Sequence, residues 1–427
     1  MNTIDTVVIG AGHAGLAVSR LLSEQGREHV VIDRGQVGQR WRSERWDSLH
    51  LLTPNWMTRL PGWHVGGGDP DGFMSAAGFV DHLEGYAASF GAPVVGDTTV
   101  EDLRGHPAGG YRLATDRGSW QTRRVVIATG PHGSARLPAG LRRGSVPAEV
   151  VSANDYRSPA QLAAGGVLVV GASSSGAQIA DELARAGRDV VLSVGRHTRM
   201  PRRYRGADVF TWLERTGRLA RTIDDVPDPA AARREPSLQL VGRPATDDRL
   251  AMDLDLRTLQ AAGVRLAGRF EGLTGRSARF RPDLEDTVTA AEVRLHRFLG
   301  AVDAHVTAAG LEGRIPPAAR PARPLPGSAP TELDLLREGI TTVVVAAGYR
   351  PELSWLSLPI LGRDGAIEQT RGLTAAPGVY VVGQRFQHRR DSGWIHGARH
   401  DARSVVHHLL TGTPDRPARL SRKDIAA

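Results

Sequence analysis

A chain of 427 residues is long for one hydrophobic core and fits two or three domains. It has no cysteine, which excludes disulfides, thiolate nucleophiles, a C-x-x-C redox pair and Cys-ligated metals or clusters. The net charge of +8 comes almost wholly from arginine, Lys423 being the only lysine, and favours anionic small molecules. With no recognition helix or aromatic stacking module, nucleic acid is not expected as a partner. No apolar run reaches the ~20 residues of a membrane span, and no basic-then-apolar leader opens the chain. A cytoplasmic location without a membrane partner is therefore expected.

Thr6 to Ile9 is a β-branched run. Gly10-Ala11-Gly12-His13-Ala14-Gly15 follows, then small and apolar residues at helical spacing. A second run, His29 to Ile32, ends in Asp33-Arg34. This is the dinucleotide-binding βαβ pattern. Gly10 permits the tight turn, and Gly12 lets the backbone approach a pyrophosphate. Gly15 lets helix and strand pack closely, and Asp33 can hold a ribose hydroxyl pair. His13 and Ala14 open the helix whose N-terminus faces the phosphates. The turn-rich stretch that follows carries Trp41-Arg42, Trp46 and Trp56. Its tryptophans suit a flat heteroaromatic ring and a small core beneath a loop equally well.

Ala77 to Phe90 reads as a helix, and Thr98 to Val126 as a small antiparallel meander. The meander leads into the buried strand Arg124 to Ile127, which exits through Ala128-Thr129-Gly130. A second nucleotide unit comes next. The strand Val167 to Val170 runs into Gly171-Ala172-Ser173-Ser174-Ser175-Gly176 and a helix. Its following strand, Asp189 to Val194, ends in no carboxylate; Arg196, His197, Arg199, Arg202, Arg203 and Arg205 come after it. An acid there would hold a 2′-hydroxyl, whereas arginines can hold a 2′-phosphate, so NADP is expected over NAD. One such unit would suggest a dehydrogenase. Two suggest a flavoprotein that binds FAD first and a nicotinamide second.

Leu284 to about Val306 repeats apolar residues at three and four, the pattern of one amphipathic helix packed on the surface. Residues 314–330 carry six prolines (Pro316, Pro317, Pro321, Pro324, Pro326, Pro330) and read as an extended loop. Ile340 to Ala347 is another buried strand, leaving through Gly348-Tyr349-Arg350-Pro351 much as Ile127 leaves through Gly130-Pro131. Gly378 to Val382 is the last strand, with Gly383-Gln384 at its end, and a helix runs from about Ser392 to Leu409. His388, His396 and His400 lie near that strand. Each could hydrogen-bond a flavin or substrate, but structural roles are the simpler reading. No metal-ligand set is assigned, and no general acid or base.

In this order the motifs resemble the class B flavoprotein monooxygenases, which include flavin-containing and indole-3-pyruvate monooxygenases. The order consists of the glycine turn with Asp33, Trp41-Arg42, Ala128-Thr129-Gly130, the second glycine turn with its arginines, Ala347-Gly348-Tyr349-Arg350-Pro351, and the final Val-Gly strand. The resemblance runs from Val7 to about Leu410. In it Arg196 matches the position of the 2′-phosphate contact. The sequence departs where the family fingerprint F-x-G-x-x-x-H-x-x-x-[YF] should fall, since Val146, Ala148, Ser152 and Tyr156 stand at its positions. Leu52-Thr53-Pro54-Asn55 stands where relatives carry N-x-P-K.

The resemblance implies an α/β fold of two Rossmann-like dinucleotide-binding domains, with an NADPH domain (158–339) inserted in a discontinuous FAD domain (1–157 and 340–427). The inserted domain would hold the amphipathic helix and the proline-rich loop. The implied activity is an FAD-dependent, NADPH-consuming monooxygenase that oxygenates a small organic substrate with O2 through a C4a-(hydro)peroxyflavin. The protein would supply orientation, a dry pocket and electrostatics. The alternatives are an FAD/NADPH dehydrogenase or reductase without oxygen insertion and a non-catalytic NADPH-binding sensor. The lack of cysteine disposes of a disulfide reductase. The oligomeric state is open, and a homodimer is compatible with the sequence.

Overall fold

The computed structural model describes residues 2–138, 141, 147–239, 254–325 and 327–412. Two runs of buried β-branched residues organise it. The first is β1 (Asn2–Ile9), whose Val7 and Val8 are fully buried. It is followed by α1 (His13–Glu24), β2 (His29–Ile32), α2 (Ala76–Ser89) and β3 (Val94–Val95). The meander is β4 (Val100–Gly105), β5 (Tyr111–Thr115) and β6 (Gly118–Ile127). The expected short strand at Arg124 is thus the end of one longer strand. A short strand, β7 (Ser134–Ala135), leads out of this unit.

The second run starts at β8 (Glu149–Ser152) and continues through β9 (Gly166–Val170), α3 (Ser174–Arg185) and β10 (Val190–Ser193). Then come α4 (Val209–Arg215), β11 (Arg265–Ala267), α5 (Leu284–Ala308) and β12 (Ile340–Val345). β13 (Tyr349–Arg350) returns antiparallel to β7, so the two crossings between units run side by side. β14 (Val379–Val381) and α6 (Ile395–Thr411) complete the first unit.

The first sheet has seven strands in the order β3-β2-β1-β6-β5-β4, with β14 also paired to β6. Val7 lies beside Val30 on one side and Val125 on the other, both parallel. The second sheet is wholly parallel, in the order β8-β12-β9-β10-β11, with Val169 between Val344 and Leu192. Parallel strands need crossovers that cover both faces, which accounts for the near-continuous apolar runs. Two Rossmann-like units, the second inserted in the first, are the expected architecture.

The expected boundaries differ from the ladders at two strands. Cuts at 157/158 and 339/340 assign β8 and β12 to the first unit, yet both pair within the second sheet. β12 closes the second unit as β6 closes the first. The glycine exit that the two strands share is common to both units, and so it does not report which unit a strand serves.

α1 packs on α6, with Ala14, Ala17, Val18 and Leu22 against Ala398, Ala402, Val405 and Leu409. α5 buries Leu295, Phe298, Leu299, Val302 and Val306 against Tyr204, Phe210 and Trp212. Its opposite flank, including Ala290, Arg294 and Arg297, forms a wall of the central cleft, so it does more than pack on a surface. Residues 314–325 and 327–330 have no helix or strand, as expected; Pro326 lies outside the described residues. Among the described residues no helix is long and apolar enough to cross a membrane.

Candidate functional site

The two glycine turns are built alike. Gly10 (φ +112°) and Gly171 (φ +109°) both hold a backbone that L side chains rarely adopt. A Cβ on Gly10 would stand 2.7 Å from the Ala128 carbonyl oxygen, and one on Gly171 2.5 Å from that of Ala346. A Cβ on Gly15 would meet the Gly10 oxygen at 1.9 Å, and one on Gly176 the Gly171 oxygen at 1.8 Å. These four glycines are explained by the protein alone.

Gly12 is not. Its backbone is ordinary (φ −82°, ψ −179°), and a Cβ there would find nothing within 4 Å. It stands at the floor of a cleft, as the N-cap of a helix that lacks a side-chain cap and acidic residues in its first turn. The free N–H groups of that turn and the Cβ-free position make a cradle for an anion. His13, beside it, keeps a buried Nε2 without a partner, and burial pushes its pKa down to about 4. Asp33 closes the cradle. Its carboxylate accepts from Ala11 N (2.6 Å) and Gly35 N (3.0 Å), and burial raises its pKa in spite of those bonds. In the second unit Ser173 takes the place of Gly12 with φ −77° and ψ −173°, again without a side-chain cap on the helix. By contrast, Ser75 caps α2 and Asp208 caps α4.

Both cradles open into one cleft of about 2180 Å³. A single small-molecule site is typically ~300–1,000 Å³, so this cleft has room for two dinucleotides and a substrate. Among the described residues thirteen arginines line it, against three carboxylates, Asp33, Glu235 and Glu352. Such an imbalance attracts phosphates and other anions.

Of the expected contacts, Gly10, Gly12, His13, Ala14, Asp33, Arg34, Trp41, Thr129 and Gly130 line the cleft on the first unit's side. Gly171, Ser173, Ser174, Ser175, Arg196, Gly348, Tyr349 and Gly383 line it as well. Gly15 and Gly176 lie behind it as packing positions. Arg42 and Gln384 are not among its lining residues. Arg42 is exposed and pairs with Glu84, while the backbone N of Gln384 donates to Gln387 Oε1 (3.3 Å). Arg34 is exposed and paired with Glu44.

The basic run after β10 divides. Arg196 is exposed and opens to the cleft. Arg199 is buried between Asp255 (2.5 Å) and Glu292 (2.6 Å), Arg202 is buried against Asp208 (2.7 Å), and Arg205 pairs with Asp303 (2.7 Å). These three hold the fold together. Arg294, from α5, joins Arg196 instead. It donates to the His197 carbonyl (2.6 Å), and burial and the nearby Arg196 charge hold its pKa below the usual range.

Where the units meet, Trp41 packs edge-on to Phe79 (4.8 Å) and lies beneath the Arg45 guanidinium (5.0 Å). It therefore serves both the small core and the cleft. Tyr349 stands edge-on to His132 (5.0 Å), whose pKa burial and the nearby Arg45 and Arg40 push down to about 3. Burial raises the Tyr349 pKa against the pull of Arg45. Both histidines facing this junction are thus neutral at pH 7. Of the fingerprint positions, Val146 lies outside the described residues. Ser152 donates to Asp155 (2.9 Å), and the Tyr156 hydroxyl donates to Glu182 (2.8 Å). Ala148, Ser152 and Tyr156 do not line the cleft.

Asp391, His396 and His400 each offer one ligand atom, all within 4.8 Å of one another. The Arg399 guanidinium lies 3.3 Å from the Nε2 of both imidazoles. Burial, Arg399, Arg59 and Arg389 push the pKa of His396 down to about 2, and burial, Arg389, Arg399, Arg403 and Arg59 push that of His400 down to about 3. This charge set opposes a cation, and neither imidazole lines the cleft.

Comparison with known proteins fits this geometry. Residues 7–215 match the family described as pyridine nucleotide-disulphide oxidoreductase. An uncharacterized oxidoreductase CzcO-like protein of Geobacillus kaustophilus (strain HTA426) is 28% identical over 410 residues, covering 95% of this chain and 98% of that one. Indole-3-pyruvate monooxygenase YUCCA8 of Oryza sativa subsp. indica is 31% identical over 219 residues, 48% of this chain and 51% of that one. A flavin-containing monooxygenase from Stenotrophomonas maltophilia superposes with a TM-score of 0.64 at 19% identity, covering 96% of this chain and 99% of that one. At that identity the likeness speaks for the fold.

Proposed function

We propose that the chain is a flavin-dependent oxidoreductase of the class B monooxygenase-like kind, which oxidises NADPH and places one atom of O2 into a small organic substrate. The observation that carries this reading is the pair of uncapped, anion-ready helix N-termini opening into one arginine-lined cleft. FAD, when bound, supplies the electron transfer and the oxygen chemistry.

The chain's own residues have defined tasks in this reading. Gly10, Gly12, His13 and Ala14 receive the FAD pyrophosphate, and Asp33 holds the adenosine ribose. Trp41, Thr129, Gly130 and Gly383 flank the remainder of that cofactor. Gly171, Ser173, Ser174 and Ser175 receive the NADPH pyrophosphate, and Arg196 with Arg294 receives the 2′-phosphate. Tyr349 and His132, edge-on to each other in the cleft, would stand between the two cofactors. An enzyme without cysteine has no thiol for a disulfide reaction, which leaves oxygen or an organic acceptor as the electron sink.

A reductase without oxygen insertion is the second reading. It is favoured by Ser152, which stands at the fingerprint histidine and bonds Asp155 away from the cleft. The deciding test is NADPH oxidation across a panel of amines, sulfides and ketones with product mass recorded. A gain of one oxygen atom supports the monooxygenase; products that differ only by hydrogen support the reductase.

A further inference from the structure

A second concentration of positive charge lies outside the cleft, on the first half of α6. Arg399, His400 and Arg403 belong to that helix, and Arg389 to the loop before it. Arg59 comes from the hairpin of Arg59–Leu60 and Trp63–His64, which packs on α6. None of these five residues lines the cleft. The charges of Arg389, Arg399, Arg403 and Arg59 all act on His400, so helix, loop and hairpin converge on one imidazole.

The nearby carboxylates do not neutralise this patch. Asp391 is buried and pairs with Arg389 (3.1 Å), and Glu214 pairs with Arg59 (3.1 Å). Asp401 is also buried, and burial raises its pKa to about 7. Arg399 is half-buried and has no carboxylate at ion-pair distance among the described residues. Its Nε lies 3.3 Å from His400 Nε2 and its Nη2 3.3 Å from His396 Nε2. Both imidazoles are neutral at pH 7, so they accept from the guanidinium and hold it in place without offsetting its charge. Burial and then the charges of Arg59 and Arg403 push the Arg399 pKa down to about 10, and Asp391 recovers only part of the loss. Arg403 is exposed, one turn further along the same face of α6. A guanidinium fixed by neutral acceptors among like charges is complementary to a compact anion.

We infer that Arg399 and Arg403, with Arg59 beside them, bind a phosphate-type oxyanion at a site separate from both cofactor cradles. The N–H groups of Arg399 that are not turned to the imidazoles supply directed donors, and Arg403 and Arg59 add charge. Phosphate suits the site better than a halide for two reasons. Guanidinium N–H bonds match its oxygens, and its second charge offsets more of the repulsion among the arginines. Inorganic phosphate and a phosphomonoester share this chemistry. The inference does not depend on the fate of O2, because no residue of the site lines the cleft.

The test is calorimetric titration of the protein with inorganic phosphate at constant ionic strength. The protein is saturated with FAD and NADP+, so that the phosphate positions of the cleft are filled. One phosphate should bind per chain, and chloride at the same concentration should not displace it. Arg399→Gln should weaken phosphate binding by about ten- to a hundred-fold, and Arg399→Lys should restore part of the loss. Arg196→Gln, in the cleft, should leave phosphate binding within about twofold of wild type. Thermal unfolding of the same preparations gives a second reading. Phosphate should raise the unfolding temperature of the wild type and of Arg196→Gln, and leave that of Arg399→Gln where it is in phosphate-free buffer. Glycerol 3-phosphate distinguishes the sources. Tighter binding than phosphate assigns the site to a phosphomonoester, and equal or weaker binding assigns it to the free ion. A saturated protein that binds no phosphate overturns the inference, as does phosphate that chloride displaces equally well. Binding that survives Arg399→Gln and is lost in Arg196→Gln would assign the phosphate to the cleft and overturn it too.

Discussion

Gly12→Ser separates the cofactor's demand on the sequence from the fold's. The side chain has room in the protein, since a Cβ at Gly12 meets nothing within 4 Å. The backbone already suits serine, because Ser173 holds φ −77° and ψ −173° where Gly12 holds −82° and −179°. A serine at the N-cap is as good as glycine or better by a few tenths of a kcal/mol, so the apoprotein should unfold at the wild-type temperature or slightly above. FAD should suffer if its pyrophosphate, unlike the one proposed to sit beside Ser173 in the second cradle, lies directly over the Cβ-free position that the new hydroxymethyl group would occupy. One charge-assisted hydrogen bond lost costs about 1.5–3 kcal/mol, or about a ten- to a hundred-fold rise in Kd. Gly12→Val should release more flavin still. Gly15→Ala is the contrast. Its Cβ at 1.9 Å from the Gly10 carbonyl forces helix and strand apart, so the apoprotein itself loses about 1–3 kcal/mol. Flavin fluorescence titration and thermal unfolding of the apoproteins read the two effects independently. A Gly12→Ser protein that binds FAD as tightly as wild type would refute the placement of the pyrophosphate.

Three further outcomes are expected. Arg196→Gln should reduce the preference for NADPH over NADH by about ten- to a hundred-fold in kcat/KM, while unchanged discrimination would remove Arg196 from the 2′-phosphate site. Arg199→Ala should leave two buried carboxylates without their partner and lower stability by about 3–5 kcal/mol in denaturant unfolding; a change under about 1 kcal/mol would show that this pair carries little. Burial raises the Asp401 pKa to about 7, above the ~3.9 of an unfolded chain, so between those values the folded state keeps a proton that the unfolded state has released. That contribution to stability falls as pH rises through the window. Asp401→Asn should therefore gain on wild type from about pH 4 to about pH 7, by up to about 4 kcal/mol, and then level off; a difference that does not vary with pH would contradict the shift.

The nucleotide units were legible because their signals are local. Strand, glycine turn and helix occupy consecutive residues, and the tasks of Gly10 and Gly15 follow from spacing that the packing then requires. What depended on distant partners was not legible. Whether Arg199 or Arg205 is free or paired is decided by Asp255, Glu292 and Asp303, some fifty to a hundred residues away, so these two turned to the fold while Arg196 opened to the cleft. Arg42 turned to Glu84 on a neighbouring helix for the same reason. The strand at Ile340 could not declare its sheet, because its glycine exit is shared by both units.

The central claim, that an atom of O2 reaches the product, is tested most directly with isotopically labelled oxygen. The FAD-loaded protein is supplied with NADPH, an accepted substrate and labelled O2, and the product's mass is read. The account predicts one heavy oxygen per product molecule and no product under nitrogen. Product formed at full rate without oxygen, or carrying no label, would contradict it and make the chain a reductase.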